Sequence, residues 1–122
     1  MTIEFLRDTF TVCKIPHRTS IPEEEFVFFS RTDNENSLVC PTSSVPDNTC
    51  AREDGWCGMR IVGTLDFSLI GLLAKISSVL AEAKVGIFAL STFDTDYIFI
   101  KEENLARAKD ALSAAGYEIL DK

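Results

Sequence analysis

The feature that most constrains the fold is a change of hydrophobic period in the second half of the chain. Residues 59–65 alternate between apolar and polar side chains, as a strand with one packed face does. After Ser68 the apolar residues recur every three or four positions, which is the spacing of one helical face: Leu69, Leu72, Leu73, Ile76, Leu80 and Ala83. Asp66 or Ser68 can cap this helix through a side-chain oxygen. The pattern therefore predicts a strand followed at once by an amphipathic helix.

A hairpin is predicted next. Residues 85–93 and 97–100 are rich in β-branched and aromatic side chains, which favour strands. Asp94, Thr95 and Asp96 lie between them and are residues typical of a tight turn.

A second helix and a last strand complete the pattern. Residues 102–115 carry Leu105, Ala108 and Leu112 at helical spacing, and Gly116 fits the left-handed position that closes a helix. Residues 117–120 return as a strand. Strand, helix, hairpin, helix and strand form the ferredoxin-like βαββαβ order, an α+β fold with two helices on one face of an antiparallel sheet.

The first half of the chain is predicted to contain strands without a clear helix. Residues 10–15 form one apolar, β-branched run that Pro16 ends. Residues 26–32 and 37–40 form two more runs, separated by a polar cluster suited to a turn. A strand and then a hairpin are expected.

A connector joins the two halves. Residues 41–58 are rich in Pro, Ser, Thr, Asn, Asp and Gly, which build turns and compete with regular backbone pairing. The sequence therefore predicts a first lobe over residues 1–55, ending in the connector, and a second over residues 56–122.

Charge and composition exclude several classes of partner. The formal net charge is −7 and the basic residues form no run, so phosphate backbones and anionic lipids are repelled. Apolar stretches stop well short of the roughly 20 residues of a membrane helix, and no export signal precedes them. We expect a cytoplasmic protein that binds neither nucleic acid nor membranes. Disulfides are not expected in that reducing compartment.

Motifs for metal, cofactor or catalysis are absent from the sequence. The four cysteines, Cys13, Cys40, Cys50 and Cys57, include no C-x-x-C pair, and His17 is the one histidine. A Cys–His or Ser–His pair would need that histidine, which follows Pro16 in a polar loop. There is no phosphate-binding glycine loop. We expect no metal, no cofactor and no enzymatic activity.

Two polar segments at strand ends are candidates for ligand binding. The junction at residues 63–71 offers backbone N–H groups and a helix dipole to a carboxylate, although an ordinary helix cap has the same pattern. Residues 91–96 offer hydroxyls and two acids to an ammonium group, although a hairpin turn has the same composition. The sequence leaves both alternatives open.

The stretch from Leu65 to Ala83, followed by Val85 to Ile100, resembles a family of small bacterial proteins with ACT domains. It is also similar to the ACT repeats of the cytosolic arginine-sensor (CASTOR) proteins of animals. The phrase from Ile87 to Tyr97 is the most specific part of the resemblance. The resemblance as a whole implies that residues 1–55 form a shortened ACT-like lobe.

ACT domains are regulatory and bind amino acids or similar small ligands at interfaces between units, often in dimers. The resemblance therefore implies a non-catalytic regulatory module, with a homodimer as the expected assembly. A protein-interaction module without a ligand is the alternative, and a small enzyme comes third. The ligand-binding residues that the resemblance implies are Ser44 and Val45 from the connector, Asp66, Phe67 and Gly71 from the junction, and Ser91, Thr92, Phe93, Asp94 and Asp96 from the hairpin end.

Overall fold

The computed structural model describes residues 1–62 and 71–121 of the chain. Its strands are β1 (Thr2–Ile15), β2 (Phe28–Arg31), β3 (Asn36–Pro41), β4 (Ala51–Val62), β5 (Ile87–Ser91), β6 (Asp96–Lys101) and β7 (Glu118–Asp121). The α-helices of the described residues are α1 (Leu72–Glu82) and α2 (Leu105–Ala114). Short 3-10 helices at Thr42–Ser44 and Glu102–Asn104 follow β3 and β6.

The chain divides into two compact units. Unit 1 consists of Met1–Arg7 and Cys57–Lys122, and unit 2 consists of Asp8–Trp56. Our sequence analysis placed a single boundary between residues 55 and 56 and assigned the first residues of the chain to the first lobe. In the structure Met1–Arg7 belong to unit 1, together with the second half of the chain, and β1 and β4 contribute to both units.

Unit 1 has the strand order β7–β1–β4–β6–β5. The start of β1 pairs in parallel with β7, with Thr2 opposite Glu118 and Phe5 opposite Asp121. Residues at the beginning of the chain therefore supply a strand between β4 and β7. The predicted βαββαβ order is present, but the sequence analysis missed this additional strand.

The core of unit 1 lies between its sheet and its two helices. Helix α1 buries Ile76 and Leu80, and α2 buries Ala108 and Leu112, as the helical spacing predicted. They pack with strand residues of the same cluster: Ile3, Phe5, Met59, Ile61, Ile98 and Ile100. Burying each large aliphatic side chain contributes about 1.5–3 kcal/mol, so this layer supplies most of the unit's stability.

The ends of the helices follow the predicted chemistry in part. Gly116 has φ +97° after α2, and its N–H donates to the carbonyl of Ser113 at 3.0 Å, which confirms the predicted left-handed closure. Helix α1 begins at Leu72 instead of near Ser68. The predicted caps Asp66 and Ser68 lie outside the described residues.

Unit 2 is built from strands in the order β2–β3–β1–β4. Its core contains Cys13, Ile15, Leu38 and Cys40, with Val45 packed against them. Cys13 and Cys40 are buried there and pack as small hydrophobic residues.

The predicted connector over residues 41–58 was wrong in its second half, because β4 begins at Ala51. This part of β4 lies beside β1, and the hydroxyl of Thr11 donates to the carboxylate of Asp54 at 2.7 Å. Gly55 has φ +86° within the strand. Pairing with β1 thus overrides the turn-forming composition of the segment.

The hairpins of the two units correspond residue for residue at an offset of 60. Arg31 lies opposite Asn36 in the β2–β3 hairpin, and Ser91 lies opposite Asp96 in the β5–β6 hairpin. Strands β3 and β6 have the same length, and the 3-10 helices that follow them begin at the same offset. The two units therefore share one strand framework.

The units differ in their helices. Residues 16–27 of unit 2 join β1 to β2 without a helix, whereas α1 lies between β4 and β5 of unit 1. Residues 45–50 likewise replace α2 with a short loop. The predicted fold class, a ferredoxin-like α+β unit with a second, shortened lobe, is confirmed.

Candidate ligand-binding site

The β5–β6 hairpin holds five of the predicted site residues at one end of unit 1. Ser91 ends β5 and Asp96 begins β6, where the Ser91 hydroxyl donates to Asp96 Oδ1 at 2.5 Å. Because a carboxylate has two oxygens and several lone pairs, Asp96 can accept further hydrogen bonds from a ligand.

The turn between these strands is held by two threonines. The N–H of Thr92 donates to the carbonyl of Thr95 at 2.8 Å, and the Thr92 hydroxyl donates to the same carbonyl at 3.0 Å. The hydroxyl of Thr95 donates to the carbonyl of Ile61 on β4 at 3.1 Å. The turn is therefore fixed beside the last residues of β4.

Phe93 and Asp94 form the tip of the turn. Phe93 is 98% exposed, which is unusual for a large aromatic side chain, and Asp94 is also exposed. The turn thus presents an aromatic ring and two carboxylates, those of Asp94 and Asp96, to solvent.

Gly71 is the one junction residue among the predicted site residues that the structure describes. It has φ +81° and precedes α1. An added Cβ would meet no atom of the described residues within 4 Å. The positive φ is the physical reason for glycine at this position. Asp66 and Phe67 lie outside the described residues.

Ser44 and Val45 lie in unit 2, in contrast to the other predicted site residues. The Ser44 hydroxyl donates to Glu24 Oε2 at 2.6 Å, and Val45 packs on the core of that unit. Their contacts within unit 2 explain both residues without a ligand.

Sequence reasoning missed two open clefts in unit 2. The larger has a volume of about 420 Å³ and is lined by the end of β1 with residues 14–17, the hairpin turn at residues 31–36, and Cys50. The smaller, about 290 Å³, is lined by parts of β1, β3 and β4. The signal that could have indicated the larger cleft is the repeat of the hairpin at an offset of 60 residues.

The thiols are chemically unequal. Burial raises the pKa of Cys40 to about 11, and it also raises the pKa of Cys13 and of Cys57. Cys50 is exposed, and all four cysteines are free. Cys50 is therefore the thiol that a reagent in solution reaches first.

The described residues contain neither a metal-binding cluster nor a membrane-spanning helix. Within residues 1–62 and 71–121, no three His, Cys, Asp or Glu side chains form a group that could hold a metal ion. No helix in the same ranges has the length and apolarity needed to cross a membrane.

A protein-family model described as ACT domain matches residues 51–114, from the first residue of β4 to the last residue of α2. This match covers more than half of the chain. The chain therefore belongs to the ACT-domain family. The ACT-domain match includes the β5–β6 turn and does not include β7 or unit 2 up to Cys50.

Solved structures share the fold of this ACT-domain chain. Protein Atu0741 from Agrobacterium tumefaciens is 27% identical, with a TM-score of 0.87 over 99% of this chain and 92% of that chain. VC0802 from Vibrio cholerae, described as a possible transport protein, is 18% identical, with a TM-score of 0.71 over 93% of this chain and 88% of that chain. No curated protein matches the sequence.

The regulatory subunit of aspartate kinase from Thermus thermophilus, in its ligand-free form, is a third similar structure. It is 12% identical, with a TM-score of 0.59 over 89% of this chain and 93% of that chain. At this identity the similarity shows the fold alone. The chain is thus an ACT-domain protein whose fold resembles the regulatory domains of aspartate kinases.

Proposed function

We propose that the chain is a non-catalytic regulatory module whose unit 1 binds an amino acid or a similar small ligand at the β5–β6 turn. The observation that carries the proposal is the pair of turn carboxylates, because Asp94 is exposed and Asp96 is fixed by Ser91 at 2.5 Å. A preorganised carboxylate binds an ammonium group through charge-assisted hydrogen bonds.

The remaining parts of the site follow from the position of the turn. The hydroxyl of Thr95 donates to the carbonyl of Ile61, so the turn lies beside the end of β4. Our proposal assigns the ligand's carboxylate to the backbone N–H groups of the junction that precedes α1. It assigns no cofactor to the site.

Two observations support a regulatory role over a catalytic one. The fold is shared with a protein that is itself a regulatory subunit of an enzyme. The sequence also carries no nucleophile motif or phosphate-binding loop, and its one histidine, His17, is exposed in unit 2. The net charge of −7 makes a small cytoplasmic ligand a better partner than nucleic acid.

The proposed assembly is a two-fold homodimer. Strand β5 is the last strand of its sheet in unit 1, and an unpaired edge strand favours pairing with a second copy. Light scattering at high micromolar concentration should give twice the mass of one chain. A monomer under those conditions would contradict the dimer.

Phe93 favours a second candidate function, a protein-interaction module without a ligand. Its ring is 98% exposed at the tip of a turn that hydrogen bonds hold in place. Exposed aromatic residues of this kind are enriched at protein interfaces.

A thermal-shift screen against the common amino acids tests the proposal. Arginine is the first choice because of the resemblance to the animal arginine-sensor repeats. A ligand at 100 times its Kd should add about 2.7 kcal/mol to the free energy of unfolding. A screen in which no amino acid raises the melting temperature would favour the interaction module. Asp110→Asn serves as a control, because it removes an exposed carboxylate from α2 and leaves the whole β5–β6 turn in place.

A further inference from the structure

We propose that unit 2 holds a second binding site, in the cleft of about 420 Å³, for a small zwitterion that carries both a carboxylate and an ammonium group. The site is separate from the one proposed in unit 1. Its lining lies within residues 14–50 and includes none of the ligand-binding residues that the sequence analysis named.

The position of the cleft follows from the repeated strand framework. In unit 1 the turn after β5 is tied to the end of β4 through Thr95 and Ile61. In unit 2 the turn after β2 lies beside the end of β1, where Ile15 is opposite Asn36. Each unit therefore brings its hairpin turn next to the end of a neighbouring strand, and in unit 2 these two segments line the open cleft.

The turn of unit 2 is built as firmly as its counterpart. The N–H of Thr32 donates to the carbonyl of Glu35 at 2.9 Å, and the Thr32 hydroxyl accepts from the N–H groups of Asn34 and Glu35 at 3.1 and 3.2 Å. This side of the cleft is therefore formed before any ligand binds.

The charges of the turn differ from those of its counterpart. Arg31 stands where Ser91 stands in unit 1, and Asn36 stands where Asp96 stands. The guanidinium of Arg31 is oriented by a hydrogen bond from Nε to Asn36 Oδ1 at 3.3 Å and by the Phe29 ring at 5.2 Å. The described residues form no hydrogen bond to its terminal nitrogens, which can bind a carboxylate side by side.

The cleft contains charges of both signs. Lys14 supplies a second cation, and Asp33 and Glu35 supply two carboxylates. The volume lies within the roughly 300–1,000 Å³ of small-molecule sites. A zwitterion matches this lining, because its carboxylate can bind Arg31 and Lys14 while its ammonium group binds the two acids. A simple anion would leave the carboxylates of the two acids without a cationic partner.

Alkylation of Cys50 with iodoacetamide tests the proposal, because this exposed thiol lines the cleft. Each common amino acid is added to the full chain, and the alkylated peptide is quantified by mass spectrometry. At ten times its Kd, a ligand that occupies the cleft should slow the alkylation of Cys50 by about tenfold, since about one chain in eleven is then empty. If no amino acid slows the reaction, the proposal is wrong.

Two variants decide whether the protection comes from the charged lining. Arg31→Gln should lower the affinity for the protecting ligand by about tenfold or more, because a charge-assisted hydrogen bond is lost. Lys75→Gln removes one positive charge from the exposed surface of α1 in unit 1 and should leave protection unchanged. If the ligand protects Cys50 equally well in Arg31→Gln and in the unaltered chain, the proposal is wrong. It is also wrong if Arg31→Gln and Lys75→Gln lose the same amount of protection.

The same experiment separates this site from the one proposed in unit 1. Asp96→Asn changes only the turn of unit 1 and should leave the protection of Cys50 unchanged. If Asp96→Asn abolishes the protection while Arg31→Gln does not, the ligand acts through unit 1 and the second site does not exist.

Discussion

Ser91 and Asp96 lie opposite each other at the turn end of the β5–β6 hairpin, joined by a hydrogen bond of 2.5 Å from hydroxyl to carboxylate. The same pair of positions in unit 2 holds Arg31 and Asn36, joined at 3.3 Å. One backbone geometry thus carries an acidic pair in unit 1 and a cationic pair in unit 2. The side chains at these two positions therefore favour an ammonium group in unit 1 and a carboxylate group in unit 2.

Removing either turn carboxylate of unit 1 should weaken ligand binding. We expect Asp94→Asn or Asp96→Asn to cost about 1.5–3 kcal/mol of binding free energy, the usual range for a charge-assisted hydrogen bond. Stability should change by less than about 0.5 kcal/mol, because asparagine is nearly as good in a turn. Calorimetric titration of each variant, with a melting curve, measures both quantities.

Asp110→Asn is the matched control for those variants. It removes the same charge from the exposed surface of α2 and should leave affinity unchanged. Unchanged affinity in both turn variants would remove Asp94 and Asp96 from the site.

Glycine is required at residue 116 by its backbone angle. Gly116 has φ +97°, so Gly116→Ala should cost about 1–2 kcal/mol of folding stability. Gly86 has no positive φ, and a Cβ there would meet no atom of the described residues within 4 Å, so Gly86→Ala is a control with little or no loss. Urea denaturation of both variants measures the difference, and equal losses would show that backbone angle is not the cause.

The second half of the fold was predictable because its packing follows local periodicity. Ile76 and Leu80, which recur at helical spacing, lie on the buried face of α1. Ala108 and Leu112 lie on the buried face of α2 in the same way. The predicted strands at residues 85–93 and 97–100 became β5 and β6, which the structure shortens to Ile87–Ser91 and extends to Asp96–Lys101. Such boundary shifts are expected, since strand ends depend on their pairing partners.

The long strands were not predictable in full. Strand β1 starts at Thr2, but the sequence analysis placed its first strand at residue 10. Arg7, Asp8 and Thr9 are exposed within β1 and interrupt its apolar alternation. Pairing with β4 and β7 holds the first part of β1 in the sheet. Such non-local contacts leave little signal in a single sequence.

The candidate site was predictable only in its local part. The turn acids could be located because they follow a strand directly, and the structure does bring residues 91–96 together. The cleft of unit 2 could not be located, because Lys14, Arg31 and Cys50 are far apart in the chain and meet only through strand pairing.

The buried thiol of Cys40 should make stability depend on alkaline pH. Burial raises its pKa from 9.0 to about 11, so the folded chain keeps a proton that the unfolded chain has lost. This contribution to stability is complete below pH 9 and is lost as the pH rises from 9 towards 11. We therefore expect a falling free energy of unfolding over that range.

Comparison of two variants isolates this effect. Cys40→Ala should make the decline shallower, whereas Cys50→Ala, which removes an exposed thiol, should keep it. Urea denaturation at several pH values measures the slope. A slope that is the same in Cys40→Ala and the unaltered chain would exclude this thiol as the cause.

Binding of an amino acid by unit 1 at the β5–β6 turn can be followed residue by residue in ¹H–¹⁵N correlation spectra. Each common amino acid is added to the labelled chain while the amide signals are followed. At least one amino acid should shift the amide signals of Ser91, Thr92 and Asp96 to a saturable plateau, while the amide signal of Asp110 on α2 stays in place. If every amino acid leaves the turn amide signals unmoved at millimolar concentration, unit 1 does not bind an amino acid at this turn.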